Sequence, residues 1–69
     1  MQKKKIIAYW NIYDFETGSL VEKEKAITHD AMPSAGGLII GIPGKFNAIV
    51  RNFRFNGIKD GVPCYDVFV

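Results

Sequence analysis

Sixty-nine residues allow one small domain, since domains run on the order of 50–250 residues, and a chain this short can bury only a thin core. Hydrophobic residues at 48%, charged residues at 23% and nine aromatic side chains exclude a disordered chain. The longest uncharged run, residues 31–44, carries two prolines and four glycines and falls short of the about 20 apolar residues of a membrane span.

The formal charge of +2 is unevenly spread. Lys3, Lys4 and Lys5 form a basic lead-in over residues 1–5, ahead of a single β domain over residues 6–69. Residues 14–30 hold five acids against Lys23 and Lys25, whereas residues 31–59 hold no acid and four bases, Lys45, Arg51, Arg54 and Lys59. Halves of opposite sign can steer a charged partner or draw two copies together head to tail. The lead-in runs into a short apolar stretch broken by Asn11 and Asp14, so no signal peptide is read. The single cysteine, Cys64, excludes an internal disulfide framework and makes a reducing, cytoplasmic setting the expectation.

Turn signals cut the chain into short runs rich in Ile, Val, Phe and Tyr, the composition of strands. The first run, residues 4–15, is apolar at both parities: Ile6, Ala8, Trp10 and Ile12 alternate with Ile7, Tyr9, Tyr13 and Phe15. A strand with one wet face alternates, so this one is expected to be covered on both sides, within the chain or by another subunit. Glu16-Thr17-Gly18-Ser19 closes a hairpin. Residues 20–29 read two ways. Ser19 and Glu22 stand at capping-box spacing, but a helix here would have no apolar residue in its middle turn. A charge-protected edge strand is favoured, with Glu22 and Glu24 on one face and Lys23 and Lys25 on the other.

Residues 38–42 form a brief strand after a loop, and Pro43-Gly44 makes a tight turn. In residues 46–55 the phase slips: Phe46, Ala48 and Val50 share one parity, Phe53 and Phe55 the other, so a bulge is expected at Arg51-Asn52. Asn56-Gly57 with Asp60-Gly61 closes another hairpin. In the final strand, residues 62–69, Pro63 lacks an amide donor and marks an edge at its start. The sum predicts an all-β fold: a small antiparallel barrel or strongly bent sheet of about five short strands, SH3-like by analogy.

Candidate chemistry is sparse. His29-Asp30 is the one His–carboxylate neighbour pair, but adjacent residues in a strand face opposite ways, so it makes a poor catalytic dyad. No metal-ligand spacing is present, and Cys64 reads as a small apolar residue rather than a nucleophile. Gly41-Ile42-Pro43-Gly44-Lys45 resembles a phosphate loop only superficially, because Ile39 occupies the required glycine position and Phe46 follows the lysine. The expectation is no enzyme, no metal and no cofactor.

Two constellations remain. Tyr9, Trp10, Tyr13 and Phe15 concentrate aromatic surface on the first strand, the residue type that dominates protein interfaces. Lys45, Arg51, Arg54 and Lys59, interleaved with Phe46, Phe53 and Phe55, match the basic and aromatic composition of single-strand nucleic-acid binders, although phenylalanines in the core with the bases as its wet face is the favoured reading, because the chain without its lysine lead-in has no net positive charge. The leading expectation is a non-enzymatic interaction protein that forms a homo-oligomer and binds a partner protein or small ligand. Its size fits an inhibitor or accessory factor, including one encoded by a phage or mobile element. The alternative is a single-stranded nucleic-acid-binding module, with no membrane involved in either case.

Overall fold

The computed structural model describes residues 5–28, 32–39, 44 and 48–69, and these form six strands. They are β1 (Ala8–Tyr13), β2 (Leu20–Ile27), β3 (Leu38–Ile39), β4 (Ala48–Ile49), β5 (Asn52–Lys59) and β6 (Val62–Phe68). Among the described residues there is no helix. The charged run at 20–27 is therefore strand, as its lack of a central apolar turn required.

The main sheet has the order β2-β1-β6-β5, and β3 pairs with β4 in a separate two-stranded sheet. This corrects the expected antiparallel barrel in two ways. The sheet is open, with β2 and β5 as its edges, and it is mixed, because β1 and β6 run parallel. β1 takes a central place, with β2 on one side and β6 on the other. Two antiparallel hairpins, β1-β2 and β5-β6, thus join along a parallel seam.

The expected strand over 46–55 is divided. Ala48 and Val50 are buried from the small sheet, while Phe53 packs against the same core from β5. The phase slip at Arg51-Asn52 is a change of sheet rather than a simple bulge. Arg51 N–H still donates to Phe68 O at 2.7 Å, which keeps the crossing chain on the end of β6. Hydrogen bonds from Gly36 N–H to Val50 O and from Val50 N–H to Gly37 O, both 2.8 Å, tie the preceding loop to this segment.

Turn chemistry sorts similarly. Residues 14–19 turn with Gly18 N–H donating to Asp14 O and Asp14 N–H to Ser19 O, both at 2.8 Å. Asp60 and Gly61, at φ of 52° and 79°, make the left-handed two-residue turn that matches strand twist. Asn56-Gly57, expected to share that turn, instead sits inside β5. Gly57 at φ 105° takes up the register shift between Phe55 and Ile58. Pro63 pairs only with β5, because β1 begins its ladder at Cys64, so its missing donor faces no partner.

The core lies on one face of the main sheet, where Trp10, Ile12, Ile27 and Val67 meet Ile39 and Val50 from beneath the small sheet. Two register shifts in β2 overturn its expected alternation. Glu22 and Lys25 come to the same side, 3.8 Å apart, and Glu24 adopts φ 53° and turns away from them.

Candidate binding face

Side-chain parity leaves the other face of the main sheet without a second layer among the described residues, and the pairing registers arrange it in three rows. The first crosses all four strands: Leu20 lies opposite Tyr13, Tyr13 opposite Phe68, and Phe68 opposite Asn52. Tyr13 and Phe68 stack, with ring centroids 5.4 Å apart and planes at 25°. Phe15 extends this row. Its N–H donates to Val69 O at 2.7 Å, its ring is exposed, and the Arg51 guanidinium stands 5.5 Å above the ring centroid.

The middle row is polar. Asn11, Asp66 and Arg54 lie side by side on β1, β6 and β5. Asp66 is only 2% exposed, and such a carboxylate needs partners for both oxygens. Arg54 Nε donates to Oδ2 at 2.9 Å, while Asn56 Nδ2 and Asn11 Nδ2 donate to Oδ1 at 3.1 and 3.3 Å. Asn11 Oδ1 in turn accepts from Glu24 N–H at 2.9 Å, which joins the displaced segment of β2 to the row. The network therefore runs unbroken from one edge of the sheet to the other.

The third row pairs Tyr9 with Ala26 on one side and the buried, free Cys64 on the other. Lys59 reaches over it, with Nζ 5.5 Å from the Tyr9 ring centroid and an ion pair to Glu24. The hydrogen bond from Lys59, aided by its charge, holds the Glu24 carboxyl below the ordinary carboxylate value. The same bond holds the Lys59 ammonium above its ordinary value.

The four aromatic residues singled out on the first strand divide by parity. Tyr9, Tyr13 and Phe15 reach the outer face. Trp10 does not: it is 7% exposed on the core face, where it lines a cleft of about 220 Å³ together with Met32, Ser34, Gly37, Leu38, Ile39 and Val50. The basic and aromatic set also separates. Phe53 packs on the core side, opposite in parity to Arg54, and the charges of Arg54 and Lys59 are met by Asp66 and Glu24. Lys45 and Phe46 lie outside the described residues, as do His29 and Asp30, most of the 41–45 turn, and Lys3 and Lys4. Among the described residues, no three His, Cys, Asp or Glu side chains are grouped to hold a metal ion, and no helix is long and apolar enough to cross a membrane.

Sequence reasoning missed Asp66, Asn11, Asn56 and Phe68. For Asn11 and Asp66 the one signal was a polar residue interrupting an otherwise apolar strand. Comparison with known protein families, with curated proteins and with solved structures finds no match for the chain.

Proposed function

We propose that this chain is a non-enzymatic interaction protein that self-associates and binds a partner through the outer face of its main sheet. One observation carries the reading: the cross-strand row Leu20–Tyr13–Phe68, prolonged by exposed Phe15, lies on a sheet face that no other described element covers. Aromatic side chains ordered against one another present large area at low entropic cost, as interface anchors do. The polar middle row supplies the donors and acceptors that would fix register. A free, buried Cys64 is in keeping with a reducing, cytoplasmic setting.

The nucleic-acid reading has less support. Base stacking needs open ring faces along a continuous basic groove. Here Lys59 and Arg51 stand over Tyr9 and Phe15, and Arg54 and Lys59 are paired with acids.

Native mass spectrometry of the full chain at tens of micromolar tests the proposal. A defined oligomer that Tyr13→Glu returns to monomer is the expected result. A wild-type monomer, or an oligomer indifferent to Tyr13→Glu, overturns it. Heterogeneous nucleic acid carried through purification, and lost in the Arg51→Ala/Arg54→Ala double variant, would favour the second reading instead.

A further inference from the structure

The main sheet has two edges, and they differ: β2 is interrupted along its length, whereas the shift in β5 comes at Gly57, beyond Phe55. An open edge strand offers unpaired backbone groups to any extended chain, and proteins blunt such edges with bulges, lysines and twists. β2 has all of these: two register shifts, the left-handed Glu24, and Lys23 and Lys25 along its length. β5 pairs with β6 in unbroken register from Asn52 to Phe55, and among the described residues no strand lies on its other side. Its apolar side chains are left bare, with Phe55 59% and Ile58 73% exposed on the core-side face.

On the opposite face of the same strand stands Arg54. Its side chain is 72% exposed, yet its Nε is fixed to the buried Asp66 carboxylate. Guanidinium carries five N–H donors in a rigid fork, and Nε uses only one of them. Both terminal amino groups of Arg54 make no further hydrogen bond among the described residues. Such a fork, held by its base and open at its tip, fits a carboxylate.

β6 already shows what β5 accepts as a neighbour. Phe53, Arg54 and Phe55 lie opposite Val67, Asp66 and Tyr65, an apolar–acidic–apolar triplet in extended conformation. We infer that the outer edge of β5 receives a second strand of this pattern from a partner protein, with its central carboxylate on the Arg54 fork and its apolar flanks beside Phe53 and Phe55. This names the kind of partner for the interaction function proposed above and rests on that reading, but it uses the edge of the sheet rather than its outer face. Strand addition of this kind draws affinity from main-chain hydrogen bonds and specificity from alternate side chains.

The test is fluorescence anisotropy of the full chain with fluorescein-labelled Ser-Thr-Val-Glu-Val-Thr-Ser. Replacing the peptide's Glu by Gln is expected to weaken binding about tenfold, and so is Arg54→Ala. N-methylation at alternate peptide amides is expected to abolish binding. These peptide changes leave the protein untouched, so they decide the matter even if Arg54→Ala disturbs the fold. Native mass spectrometry of the same sample reports the outer-face assembly independently, which separates failure at this edge from failure of that interface. Equal binding of the Glu and Gln peptides, or no binding of either up to about 1 mM, overturns the inference. Two other results would also overturn it: an oligomer lost in Arg54→Ala but retained in Tyr13→Glu, which would place a second copy on β5, and Arg54-dependent binding of a short oligothymidine without peptide binding.

Discussion

On the core face of the main sheet, Trp10, Ile12 and Val67 pack beneath the small sheet; one residue along each strand, Tyr9, Asn11 and Asp66 look outward. The same two strands, in the same parallel register, thus carry two different kinds of order. The core face is held chiefly by close packing of apolar side chains. The outer face is held by a row of hydrogen bonds around one carboxylate, bracketed by aromatic rows. Apolar contact is non-directional, whereas a buried carboxylate accepts only donors in fixed places. The first kind of order supplies stability, and the second fixes which side chains present themselves and at what spacing.

That division can be broken by substitution. The largest effect is expected on the core face, where Ile12 is fully buried: Ile12→Ala should cost about 2–5 kcal/mol. This is a large share of the roughly 5–15 kcal/mol available to small domains, so urea denaturation should show a strongly lowered midpoint or an unfolded chain. Asp66→Ala should cost less, about 1.5–3 kcal/mol, because it strands one half-buried donor, Asn11, while Arg54 and Asn56 can turn to water. Asp66→Asn should fall between that variant and wild type. A loss under about 0.5 kcal/mol for Asp66→Ala would mean that the polar row does not organise the face.

The smallest effect sharpens the comparison through pH. The depressed Glu24 pKa gives a contribution present above the ordinary carboxylate range and lost as pH falls through the folded value. The raised Lys59 pKa gives one present below the ordinary lysine range and lost as pH rises through the folded value. The pair is therefore intact between those limits, and its weakening at either end should be slight, since both groups meet solvent. Lys59→Met should flatten the acid-side slope of denaturation midpoint against pH. An unchanged slope would remove this pair from the outer face's stability.

Local signals read well in the sequence. The charged run within 20–29 read two ways, and the favoured strand is what forms over 20–27, because a helix would have had little to pack; Asp60-Gly61 turns as its residue types suggest. The slip at Arg51-Asn52 was visible, but whether it marked a bulge or a change of sheet depended on where Ala48 and Val50 found their neighbours. Trp10 was grouped with Tyr9 and Tyr13 by proximity, although parity sends it to the core. The polar row was illegible for a plainer reason. Asn11 and Asp66 stand 55 residues apart, and nothing local says that the first and last strands lie side by side in parallel. Strand order decides which polar residues meet, and strand order is a property of the whole chain.

The seam between β1 and β6 also sets a timetable. Each hairpin, β1-β2 and β5-β6, closes over a short loop and can form early, on the order of 1–10 μs. The central ladder of the sheet must wait until β6 has been synthesised and both hairpins have met. Until then a nascent chain holds the apolar flank of β1 open to whatever is nearby. A protein whose first and last strands must pair in parallel should fold slowly for its size.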